Sequence, residues 1–77
     1  MTRPVTVVPD DHMLQEYDVV RLRLTLADGN VPLGSTGTIL IVYDHPVRAY
    51  EVEFMDNFGR SLGTFTTDDD HLEKWQR

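Results

Sequence analysis

The chain has 77 residues, no cysteine and a net charge of −6. A chain of this size makes one small domain that buries only about 60% of its unfolded surface, and without cysteine no disulfide can supplement the core. The acidic balance disfavours non-specific attachment to nucleic acid or to an anionic membrane, because phosphate contacts need a surplus of Lys and Arg.

The same acidity favours solubility, which is the simpler reading, and would also steer the chain toward a basic partner. No basic N-terminal segment is followed by a long apolar run. A signal peptide or membrane span is therefore not expected, and the cytoplasm is the expected compartment.

In chain order, residues 1–12 read as an N-terminal extension and residues 13–77 as the domain proper. Val5, Val7 and Val8 suit a short strand, which Pro4 and Pro9 confine to an edge. Residues 11–16 fit one helical turn with Asp10 or Asp11 as N-cap. The first strand of the domain is predicted over residues 18–26, where Val20, Leu22, Leu24 and Leu26 alternate with Arg21, Arg23 and Thr25. Residues 27–30 break it and open a long loop containing Pro32, Gly29 and Gly34, which runs to Gly37.

Strand two is predicted over residues 36–44 and strand three over residues 49–55. Between them lie Asp44, His45, Pro46, Val47 and Arg48, turn formers that suit a hairpin loop. Residues 56–60 are a tight turn in which Gly59 supplies a positive φ. Strand four is predicted over residues 61–66. Asp68, Asp69 and Asp70 then resemble the capped start of a helical or 3-10 turn. Leu72 and Trp75 follow on its inner side or in a brief last strand.

About five short strands, a long first loop and a 3-10 turn before the last strand point to an all-β fold, a small SH3-like barrel, since closing the sheet removes exposed edges. The expected core holds Val20, Leu22, Leu24, Val52, Phe54 and Leu72, with Tyr50 on the same face. Gly37 is expected at positive φ or against another backbone, because the chain enters the sheet sharply there. Gly34 and Gly59 are the other structural glycines.

Leu14, Tyr17, Asp18, Val19, Val20, Pro32, Leu33 and Gly34 combine with two blocks. These are Gly37-Thr38-Ile39 and Tyr50-Glu51-Val52-Glu53-Phe54, with Val42, Tyr43, Gly59, Thr66 and Leu72 alongside. Together they resemble a family of short bacterial proteins catalogued as a domain of unknown function, present in cyanobacteria and on mobile elements. The resemblance covers residues 13–75 and implies an SH3-like barrel with no activity attached. The Gly-Thr-Ile block and the following strand are also faintly similar to small barrels found in photosystem I and in the β chain of nitrile hydratase. The glycine before an aliphatic strand is similar to the KOW motif. These are analogies of fold.

Ile41 stands where that family is expected to be polar. With Ile39, Leu40 and Val42 it makes strand two apolar on both faces, so one face lines the core and the other is covered or offered to a partner.

Catalytic chemistry finds no support in the sequence. His12, His45 and His71 lack metal-ligand spacing. Asp68, Asp69, Asp70 and Glu73 lack the glycine and ligand count of a calcium loop. Glu51 and Glu53 share a strand face, which alternation alone explains, and Ser35 and Ser61 have no nucleophile elbow around them. No cofactor is expected. Arg21, Arg23, Arg48 and Arg60, with Tyr43, Tyr50 and Phe58, form a candidate strip for stacking nucleic-acid bases. The simpler reading pairs these arginines with Glu51, Glu53 and Asp56 across neighbouring strands.

The expectation is a non-catalytic protein-binding module, an accessory or antitoxin-like partner of a larger or basic protein. It docks through Ile39, Ile41, Tyr43, His45 and Arg48. The alternatives are a KOW-like nucleic-acid-binding barrel and a self-associating structural protein, a homodimer in the simplest case.

Overall fold

The computed structural model describes residues 14–27 and 30–75. The predicted edge strand at residues 5–8, residues 11–13 of the expected helical turn with its cap, and Gly29 lie outside those residues, and residues 14–16 of that turn are not helical. The described chain is all-β: β1 Val19–Leu22, β2 Thr36–Tyr43, β3 Ala49–Met55, β4 Ser61–Asp68 and β5 Leu72–Lys74, with a 3-10 turn at Asp69–His71 just before β5. The strands form one five-stranded antiparallel sheet in the order β4-β3-β2-β1-β5. Among the described residues, no helix is long and apolar enough to cross a membrane.

β2, β3 and β4 form a meander whose turns follow from their sequences. In the β3–β4 turn the Asp56 carboxylate accepts the Phe58 and Arg60 N–H groups at 2.8 and 2.9 Å, and Gly59 takes φ +82. In the β2–β3 loop the His45–Pro46 peptide is cis. Gly34 closes the long first loop at φ +87, donating its N–H to the Leu22 carbonyl at 2.9 Å.

The core comprises Leu14, Val20, Leu22, Leu26, Val31, Ile39, Tyr50, Val52, Phe54 and Leu72, with Val42, Leu62 and Phe65 packed partly against it. The rings of Phe54 and Phe65 are tilted at 50° with centroids 6.2 Å apart, a favourable aromatic geometry.

Two expectations are corrected. β1 ends at Leu22 instead of running to residue 26. Arg23 still donates its N–H to the His71 carbonyl at 2.7 Å in the β1–β5 register, but after it the period-two alternation lapses, and Leu24 is left 45% exposed while Leu26 is buried. Leu24 therefore does not belong to the core. Strand four runs on to Asp68, two residues past the expected end, because its ladder with β3 continues to the Ala49–Asp68 pair.

Gly37 has no positive φ; the second alternative applies. A Cβ there would stand 2.7 Å from the Glu53 carbonyl oxygen and 2.9 Å from Phe54 and Val52 side-chain carbons. The glycine lets β2 and β3 approach at this register.

Candidate protein-binding surface

The register shift between Ile39 and Ile41 decides how the four consecutive aliphatics of β2 divide between the two faces. Strict alternation would put Ile39 and Ile41 on the same side. The β-bulge at Leu40 instead leaves Ile39 fully buried, Val42 half-buried against the core, and Ile41 44% exposed. Ile39 is thus a core residue and cannot touch a partner, which corrects its assignment to the docking set. Ile41 and Tyr43 do lie together on the outer face, opposite Glu51 and Ala49 of β3.

That face continues across the sheet. Val19 of β1 lies opposite Thr38, Thr38 opposite Glu53, and Glu53 opposite Thr64. Trp75 donates its backbone N–H to the Val19 carbonyl at 2.9 Å, and the Arg21 guanidinium stacks 4.5 Å over its ring. Val19, Ile41, Tyr43 and Trp75 are all exposed.

Carboxylates punctuate the same face. Glu51 accepts hydrogen bonds from Thr66 Oγ1 at 2.8 Å and from the Tyr43 hydroxyl at 3.4 Å. Partial loss of hydration, reinforced by the Glu51 charge, raises the Tyr43 pKa above the usual tyrosine value. Among the described residues no cation pairs with Glu16, Glu51, Glu53 or Asp68.

The arginines are committed. Arg21 pairs with Glu73 at 2.7 Å, Arg48 with Asp44 at 2.8 Å and Arg60 with Asp56 at 3.2 Å. Arg23 donates to the Asp70 carbonyl at 2.9 Å. Only the Asp56 pairing matches the expected partners; Glu51 and Glu53 are not used. The arginines therefore do not line up as one free basic strip.

Arg48, expected at a partner interface, is a tie within the fold. Its guanidinium donates to Asp44, to the Tyr50 hydroxyl at 3.0 Å and to the Leu14 carbonyl at 2.7 Å. Hydrogen bonding to Tyr50 is the main cause that raises the Arg48 pKa. The Tyr50 hydroxyl in turn donates to Asp69 Oδ1 at 2.8 Å. Two side chains thus join the hairpin, the entry of the chain at Leu14 and the 3-10 turn. His45 sits exposed at the loop tip.

Sequence does not single out Tyr17 as a docking residue. The Asp18 N–H bonds the Gln15 carbonyl at 3.1 Å, closing a turn whose third place holds Tyr17 at φ 71. Glycine is usual at that place. The ring is 72% exposed. A tyrosine in that conformation has no local sequence signature.

Beside this turn lies a groove of about 500 Å³ lined by Gln15, Glu16, Tyr17, Val42, Asp44 and Arg48. A smaller one of about 280 Å³ is lined by Val47, Arg48, Asp68, Asp69 and Asp70. Among the described residues, no three His, Asp or Glu side chains gather closely enough to hold a metal ion.

No curated protein and no solved structure matches this chain. Its residues 16–74, which include all five strands, match the family model DUF4926, a domain of unknown function, and the chain belongs to that family.

Proposed function

We propose that this chain is a non-catalytic protein-binding module of the SH3-like barrel type, working in the cytoplasm as an accessory or antitoxin-like partner of another protein. The observation that carries the reading is the outer sheet face, where exposed Val19, Ile41, Tyr43 and Trp75 lie among carboxylates that no described cation neutralises. Scattered single apolar residues need no explanation, whereas a strip with aromatic ends and a rigid β scaffold is the composition of a protein interface. The barrel reading is supported by the placement of β1 between β2 and β5 and by the 3-10 turn that leads into β5.

The acidic face and the committed arginines weigh against the nucleic-acid alternative, because affinity for phosphate comes from free cations. Photo-crosslinking in the native cell tests the reading, with benzoylphenylalanine placed at Ile41 and, as control, at Phe58 on the distant β3–β4 turn. A protein adduct at position 41 and none at position 58 is expected. Adducts only to nucleic acid, only to a second copy, or to nothing at position 41 would overturn it.

A further inference from the structure

β2 outruns the strand beside it. It spans Thr36–Tyr43, yet β1 pairs with it only at Thr36, Gly37 and Thr38. Among the described residues, the last bonds on that side join the Ile39 N–H to the Asp18 carbonyl at 3.0 Å and the Tyr17 N–H to the Ile39 carbonyl at 2.7 Å. The turn at Tyr17 then carries the chain away. Past the bulge, Ile41 and Tyr43 pair with Glu51 and Ala49 of β3. The Ile39 N–H and C=O face away from β3, and with one bulge residue opposite Glu51 the alternation turns those of Ile41 and Tyr43 toward β3 and those of Val42 away from it. Among the described residues no strand lies there. The groove of Gln15, Glu16, Tyr17, Val42, Asp44 and Arg48 does. An open edge of this kind is a template for an added strand.

Charge selects the occupant. Arg48, the cation in the groove, is already held by Asp44, Tyr50 and the Leu14 carbonyl. Glu16 at the groove and Glu51 on the outer face have no described cation. A second copy of the chain would bring a net charge of −6 against another −6.

We propose that a basic, extended segment of a protein partner adds as a sixth strand along Ile41, Val42 and Tyr43. Its aliphatic side chains enter the groove beside Val42. Its lysines or arginines lie on the other face, with their stems over Ile41 and Tyr43 and their charges toward Glu51, while Glu16 at the groove adds to the negative field that attracts them. This rests on the module reading above and adds the mode of docking and the chemistry of the partner.

The test uses the full chain and a short blocked peptide alternating Lys and Val, with an alternating Glu and Val peptide as control. Hydrogen exchange read by NMR should show the Val42 N–H slowed by about tenfold or more on adding the Lys–Val peptide, with the β4 edge unchanged. The Glu–Val peptide should have no effect. Glu16→Gln combined with Glu51→Gln should weaken binding about tenfold at low salt while the urea midpoint stays in place.

Equal binding of both peptides, protection at β4 instead of Val42, or a Val42 N–H already protected in the free chain would overturn the proposal. So would absence of Lys–Val binding. If the Ile41 crosslink still captures a protein in that case, the module reading stands and only the added strand fails.

Discussion

The Tyr50 hydroxyl donates to Asp69 Oδ1 at 2.8 Å while accepting from Arg48 Nε at 3.0 Å, and its ring is fully buried in the core. One side chain thus fills the interior and fastens β3 to the 3-10 turn that leads into β5. The Arg48 guanidinium also lies 5.6 Å from the Tyr50 ring centroid, so the cation meets both the hydroxyl and the π face.

Tyr50→Phe keeps the ring and removes both bonds. The expected cost is about 1–3 kcal/mol, read from urea unfolding, because charged partners lose a bonded group. Burial is the main cause that raises the Tyr50 pKa above its ordinary value, with the Asp69 bond and charge adding to it against the pull of Arg48. A raised folded pKa means that this stabilisation is complete below the ordinary tyrosine range, about 10, and is lost as pH climbs through the folded value. The alkaline fall in stability should therefore be shallower in Tyr50→Phe than in the parent. Parallel alkaline limbs would contradict the assignment.

Gly37→Ala should destabilise by about 1–3 kcal/mol, since the new methyl meets the Glu53 backbone carbonyl, which cannot swing aside. Gly34→Ala meets nothing within 4 Å, and its cost comes from the positive φ alone. The two variants separate by crystallography or NMR. Gly37→Ala should move the β2–β3 register around Glu53, and Gly34→Ala should leave the sheet in place.

Phe54→Ala should cost about 3–5 kcal/mol, a large fraction of the roughly 5–15 kcal/mol that holds a small domain. The ring is fully buried and packs against Phe65. Calorimetry should find the unfolding midpoint lowered by roughly 10–40 °C.

Much of this fold was legible in the residues. Alternation in Ala49–Met55 marked β3, and the turn formers at 56–60 marked its exit. Three things were not legible. β1 stops at Leu22 because its partners run out there, β5 beginning at Leu72 opposite Leu22 and β2 at Thr36 opposite Arg21, both far along the chain, so the apolar period through Leu24 and Leu26 misleads. The bulge at Leu40 also depends on pairing with β3. A run of four aliphatics announces surplus apolar surface but does not say that Ile39 goes inward and Ile41 outward. Arg48 was visible as a loop cation, yet its tie to Leu14 spans sequence distance that no local pattern encodes.

Asp56 supplies an acid-side test. The Arg60 N–H is the main cause that holds its carboxyl below the ordinary value, helped by the Phe58 N–H and the Arg60 side chain against some loss of hydration. A lowered folded pKa gives stabilisation that is complete above the ordinary aspartate range and lost as pH falls through the folded value. Asp56→Asn should flatten that part of the acid limb in thermal unfolding followed from about pH 6 to about pH 2. An unchanged acid limb would remove the carboxylate from the account of the turn.

Tyr17 separates what the fold needs from what the surface offers. Its φ of 71 belongs to the left-handed region, where a side chain costs about 1–3 kcal/mol unless the surroundings enforce it. The ring gains little burial in return, being 72% exposed. Its backbone N–H, which caps the end of the β1–β2 pairing at Ile39, survives any substitution except proline. Tyr17→Gly relieves the strain and keeps that bond, at the expense of about 0.5–1 kcal/mol of added freedom in the unfolded chain. Stability should therefore hold steady or rise slightly. Binding of the Lys–Val peptide should weaken, because the aromatic wall of the groove is gone. A clear loss of stability with unchanged peptide binding would show that Tyr17 serves the fold and not the groove.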